Sequence, residues 1–165
     1  MTIEPDSPPE FRQLRLAAAP FAFQQPVYGW GEPEEIVRSD QEYSLIFVVD
    51  VDHTKVLLGM KRRGMGVGLY NGFGGKRDPG ETMLQCAARE LYEESGISAN
   101  EDALYHKGTL YTSRPLKGGA KGMRKQMIKI SVFACFSWTG VPIETEEMTP
   151  QWFDIDKLPT QRMVS

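Results

Sequence analysis

Both ends of a helix are written into the segment from Thr82 to Gly96, and this helix constrains the fold more than any other stretch. Thr82, followed three residues later by Gln85, makes a capping box, and Gly96 stands where a C-terminal stop belongs. Between them Leu84, Ala87, Ala88 and Leu91 recur at i, i+3, i+4 and i+7, an apolar stripe on a helix over 82–95. A single stripe needs another layer to bury it, and the flanking segments read as strands. "YSLIFVVDV" and "KVLLGMK", joined by "DHT", predict a hairpin over 43–61. "LYHKGTLYT" (104–112), "QMIKISVFACFSW" (126–138) and "QWFDI" predict three more strands. "SRPLKGGAKGMRK" is basic with no acid; it reads as a solvated hairpin loop, with phosphate contact as the alternative.

The chain has 165 residues, 41% hydrophobic and 25% charged, enough for one folded domain with a core. Its net charge of −3 gives no basic field for a nucleic-acid polymer. Apolar runs such as Leu45–Val49 are far too short to span a bilayer, so no membrane partner is expected. Cys86 and Cys135 fall in no CxxC or Cys/His pattern and read as free thiols in a reducing compartment. Residues 1–40 hold six of the eleven prolines and read as a disordered arm, relieved by Phe11, Leu14 and Ala18 at helical spacing. The arm resembles neither a signal sequence nor a transit peptide. The expectation is a soluble monomer with a domain over 41–165, cytoplasmic, with nucleus or mitochondrion as alternatives.

Two clusters carry the chemistry. "RRGMGVGLYNGFGG" has six glycines in fourteen residues, which suits either a flexible linker or close approach of backbone to a ligand. Glu90, Glu93 and Glu94 fall within a sector roughly 100° wide on the helix. Glu90 and Glu94 form a like-charge i, i+4 pair near the helix C-terminus, where the dipole also disfavours anions. Arg89 can relieve Glu93. A solvated acidic face and a site for a hard divalent ion both fit the pattern.

The spacing around the helix resembles the Nudix box. From Gly75 the chain reads Gly, five residues, Glu81, seven residues, Arg89-Glu90-Leu91, one residue, Glu93-Glu94, one residue, Gly96-Ile97, so the box covers 75–97. Chance agreement is on the order of 10⁻⁹ per register at average residue usage. The resemblance implies an α/β Nudix fold over about 43–159, a mixed sheet with the box helix on one face. It implies that Glu90, Glu93 and Glu94 bind magnesium, with manganese as the alternative, and that the Gly74 carbonyl completes the site. Glu90 or Glu94 could instead be the base, and Arg89 and Glu81 would orient their neighbours.

A closer resemblance reaches outside the box. "VLLGMKRRGMGVGLYNGFGGK", "GET" and "ETEEMTPQWFDIDKLP" resemble the eukaryotic oxidised purine nucleoside triphosphatases. That branch hydrolyses 8-oxo-dGTP and 2-hydroxy-dATP to monophosphate and pyrophosphate, which implies a small nucleotide as substrate. By this resemblance Asn71 binds the purine edge, Ser44 and Lys61 line the pocket, and Phe73, Gly74, Gly75 and Lys76 meet the base and phosphates. Glu147 is implied as a further metal ligand. Met65, Thr112 and Arg114 depart from aromatic positions of the branch. The chain stops at Ser165, short of a base-gripping Trp-Asp-Asp stretch and a covering helix, so a sheet face without that helix is expected. Two alternatives stay open: a hydrolase of another nucleoside diphosphate linkage, and a nucleotide-binding module with weak catalysis.

Overall fold

The computed structural model describes residues 35–64, 66–115 and 124–164. Six strands form one mixed sheet: β1 (Glu35–Asp50), β2 (Lys55–Lys61), β3 (Tyr70–Asn71), β4 (Leu104–Pro115), β5 (Arg124–Cys135) and β6 (Met148–Asp154). The order is β3-β2-β1-β5-β4, with β6 on the other edge of β2. β1 and β5 run parallel, and the remaining neighbours are antiparallel. The expected hairpin is present, with Val48 opposite Leu57.

The helix spans Met83–Ser95 and is closed as its sequence dictates. Gln85 N–H donates to Thr82 Oγ1 at 3.1 Å, and Thr82 N–H donates to Gln85 Oε1 at 3.0 Å. Gly96 takes the left-handed conformation, φ 75°, and its N–H donates to the Tyr92 carbonyl. The stripe residues Ala87 and Leu91 are fully buried against Ile46, Val48, Leu57, Phe73, Phe133 and Cys135, with Leu84 and Ala88 at the edge. Alternation along the strands sends Val56, Leu58 and Tyr70 to the opposite face. There the chain after β6 runs on as short 3-10 turns, and Leu158 and Met163 pack on the second cluster. Among the described residues no α-helix covers this face. None is long and apolar enough to cross a membrane.

The structure corrects several boundaries. β1 begins at Glu35, so residues 35–40, read as the end of a disordered arm, belong to the sheet. Residues 35–38 pair with 124–127 of β5, a long-range contact, and a register shift between Arg38 and Glu42 separates this part from the apolar run. β5 ends at Cys135 and does not reach Trp138. β3 has two residues and was not expected. Residues 1–34, with the patch at Phe11, Leu14 and Ala18, Met65, residues 116–123 and Ser165 lie outside the described residues.

The cap is local and independent of the sheet, so Thr82→Ala should destabilise the fold by about 1 kcal/mol. Urea unfolding measures this, with the midpoint falling and the slope unchanged.

Candidate active site

The glycine-rich segment is not a free linker. It is stitched onto β1 by backbone bonds: Phe73 N–H to the Ile46 carbonyl, 2.9 Å, Ser44 N–H to the Gly75 carbonyl, 2.9 Å, and Arg77 N–H to the Glu42 carbonyl, 2.9 Å. Gly74 sits at φ 151°, and a Cβ there would lie 2.2 Å from the Ser44 carbonyl oxygen. Only glycine fits this position. At Gly75 the obstacle is chemical: a Cβ would lie 2.4 Å from the carboxylate carbon of Glu90. The backbone of Gly74–Gly75 is therefore pressed directly against the helix face that carries the acids.

Of the three glutamates, two turn inward. Glu94 is only 3% exposed, and its Oε2 accepts the Gly74 N–H at 2.7 Å. Burial pushes its pKa up to about 7; the Gly74 N–H and Lys61 oppose the rise, while Glu90 and Glu147 add to it. The Glu90 side chain is 14% exposed, and burial raises its pKa as well, against the pull of Arg89. Glu93 is 56% exposed and receives Arg89 Nη1 at 3.0 Å. The helix thus holds one buried and one partly buried acid, with a third on the rim.

Arg89 organises the surroundings. Its Nε donates to Glu81 Oε1 at 2.7 Å and its Nη2 to Oε2 at 3.1 Å, a two-pronged grip. Nη1 reaches Glu90 Oε1 at 2.9 Å, and Nη2 reaches the Lys76 carbonyl at 3.2 Å. Arg89 therefore ties the loop, the helix and Glu81 together and holds Glu81 below the usual carboxylate range. Glu147, on the loop before β6, is paired with Arg63, and its charge is felt at both Glu90 and Glu94.

Do these residues suit a divalent cation? Among the described residues no three acids, histidines or cysteines already stand as a closed ligand cluster. Glu93 is turned to Arg89 and Glu147 to Arg63. Glu94 is buried and Glu90 partly so; burial raises the pKa of both, with Glu90 and Glu147 adding to the rise at Glu94, and Glu93 and Glu147 to that at Glu90. Such a pair is what a cation with oxygen ligands would neutralise. The donor chemistry would suit such an ion: two carboxylates turn inward, and two more are held at the margin by arginines.

The other expected site residues divide. Lys61 lies close enough to act on Glu94, and Lys76 is exposed beside the loop. Asn71 is half-buried on β3, its Oδ1 accepting the Gly72 N–H at 2.9 Å. Ser44 and Phe73 require correction. Phe73 is fully buried in the core beneath the helix, and Ser44, 4% exposed, lies 3.5 Å from Cys86 Sγ with the Gly75 N–H donating to its Oγ. Both side chains secure the loop from within, deeper than the pocket-lining place expected for them. Thr112 is exposed on β4 opposite Ile128. The two arginines, Arg62 and Arg63, that grip the loop before β6 went unrecognised in the sequence. The visible signal was charge complementarity between "RR" after one strand and "ETEE" before another.

The NUDIX domain pattern matches residues 40–165. The chain belongs to the Nudix family. It is 43% identical over 119 residues to the oxidized purine nucleoside triphosphate hydrolase of Danio rerio, covering 72% of this chain and 70% of that protein. It is 42% identical over 117 residues to the Mus musculus protein of the same name, covering 71% and 68%. Among solved structures it resembles the mutator MutT protein from Bacillus halodurans, with TM-score 0.59, 26% identity and 74% of each chain covered. The MutT NUDIX hydrolase from Burkholderia pseudomallei shares the fold, with TM-score 0.53, 19% identity, and 78% and 88% covered. The α/β Nudix fold expected from the box is the one observed.

The buried Glu94 predicts a pH signature. Its folded-state pKa, about 7, lies above the ordinary carboxyl value, so the folded state holds the proton more tightly than the unfolded chain. The penalty for burying the charge is absent below the unfolded value and grows as pH rises through about 7. In metal-free buffer the protein should lose stability from about pH 5 to about pH 8, and Glu94→Gln should remove much of that loss. Unfolding midpoints of both proteins at the two pH values measure the difference.

Proposed function

We propose that this Nudix chain hydrolyses oxidised purine nucleoside triphosphates, such as 8-oxo-dGTP and 2-hydroxy-dATP, to the monophosphate and pyrophosphate, with magnesium as cofactor and manganese as substitute. The observation that carries the chemistry is buried Glu94 and partly buried Glu90 against the backbone of Gly74–Gly75. The likeness to the zebrafish and mouse hydrolases supports the choice of substrate. A role in keeping damaged bases out of DNA follows from that substrate, and the cytoplasm is the compartment proposed for a monomer of this kind.

Glu90 and Glu94 would hold the metal, joined by Glu93, Glu147 and the Gly74 carbonyl. When bound, magnesium neutralises the diphosphate, polarises phosphorus and orients the attacking water. The protein's own part is positional. Arg89 keeps the carboxylate of Glu90 in place and ties the loop to the helix. The glycines let the phosphates approach backbone rather than side chain. In the alternative role, Glu90 or Glu94 would be the base and take the proton that water loses as its oxygen bonds to phosphorus and the anhydride P–O bond breaks. Lys61 and Lys76 supply positive charge beside the phosphates, and Asn71 presents its amide to the purine edge.

Pyrophosphate release from a panel of triphosphates tests the reading. The 8-oxo-dGTP reaction should require magnesium and run at higher kcat/KM than the dGTP reaction. Glu93→Gln and Glu94→Gln should each lower turnover by orders of magnitude with the fold intact; near-normal turnover in both contradicts the metal assignment. Asn71→Ala should lower kcat/KM for 8-oxo-dGTP by about ten- to a hundredfold, the value of a hydrogen bond in a desolvated site, and dGTP less.

A further inference from the structure

β2 ends at Lys61, and the next two residues reach across to the acidic loop before β6. Arg62 fixes the loop backbone: its N–H donates to the Glu147 carbonyl at 2.8 Å and its Nη1 to the Thr145 carbonyl at 2.6 Å. Its guanidinium also pairs with Glu144 at 2.7 Å. Thr145 Oγ1 accepts the N–H groups of Glu147 and Met148, at 3.2 and 3.1 Å, so the loop holds its shape without further help. Arg63 makes no such backbone contact among the bonds described. Its guanidinium holds the Glu147 carboxylate and stands 3.6 Å from Glu146. The division of labour is clear: one arginine shapes the loop, the other restrains a single side chain.

The loop that carries that side chain lies against the C-terminal end of the helix: Ile143 N–H donates to the Ser95 carbonyl at 2.9 Å, and Thr145 Oγ1 lies 3.4 Å from the Glu94 carbonyl, two residues before Glu147. Of the three carboxylates Glu90, Glu94 and Glu147, only Glu147 is tied to this guanidinium.

We infer that Arg63 is a positioning residue for the metal site: it is the standing counter-ion of Glu147, and Glu147 joins Glu90 and Glu94 around a divalent cation only by leaving Arg63. The inference rests on the metal-site reading above. Arg63 competes with the cation for one carboxylate, so it weakens cation binding while keeping Glu147 paired when no cation is bound. A solvated ion pair with no tie to the site would leave cation affinity unchanged when Arg63 is removed.

The test is Mn²⁺ binding to the full chain without nucleotide, followed by the loss of the free-ion paramagnetic resonance signal. Arg63→Gln should tighten Mn²⁺ binding by about two- to fivefold, the scale of an exposed ion pair. Arg63→Lys, which keeps the charge, should restore affinity close to that of the wild type. Glu147→Gln should weaken binding, and in that background Arg63→Gln should no longer tighten it. The double variant separates competition for Glu147 from the general effect of removing a nearby positive charge. Equal or weaker binding in Arg63→Gln overturns the inference, as does tightening that persists without Glu147. The metal-site reading fails separately: Glu94→Gln would bind Mn²⁺ as well as the wild type, or the wild type would not bind it.

Discussion

The site depends on one close approach, the carboxylate of Glu90 against the α-carbon of Gly75 with Glu94 bonded to the neighbouring N–H. Two acidic side chains are brought between a helix and a backbone that leaves no room for side chains. The helix pays no such penalty on its apolar stripe, where Ala87 and Leu91 meet the sheet. The same rotation that buries the stripe carries Glu90 and Glu94 partly inward. Hydrophobic packing thus forces the carboxylates together, and desolvation raises the pKa of both.

The rest of the arrangement contains that repulsion. Arg89 grips Glu81 with two nitrogens and Glu90 with a third, so the guanidinium is fixed before it meets the acids it serves. Ser44 and Phe73 hold the loop from below, through β1 and the core. On the far side Arg62 and Arg63 draw the loop before β6 toward the end of β2. Cations surround the crevice without entering it between Glu90 and Glu94, an arrangement suited to an exchangeable metal ion.

The helix and its caps were legible because their signals are local: a capping box, a terminal glycine and a 3.6-residue period lie within fifteen residues of one another. The Nudix box was legible for the same reason. What stayed hidden was long-range. Nothing in "EIVRSDQE" announces a strand, and its pairing with β5 supplies the order. β3 is two residues fixed by Gly59 and Met60 across from it. Ser44 and Phe73 were assigned to the pocket because a resemblance transfers positions along the chain; which way a side chain faces depends on strand register, and here both face the core. The pairing of Arg63 with Glu147 joins residues from opposite ends of the domain, and only the fold brings them together.

The central claim is that Glu90 and Glu94 form a strained anionic site completed by a divalent cation. Thermal unfolding with and without magnesium, at about pH 8, tests it most directly on the wild type and the Glu90→Gln, Glu94→Gln double variant. Without metal the double variant should melt higher than the wild type, because the buried repulsion is gone. Added magnesium should raise the wild-type melting temperature and leave that of the double variant unchanged. A wild type that melts higher than the double variant in chelator, with equal magnesium responses in both, would contradict the account.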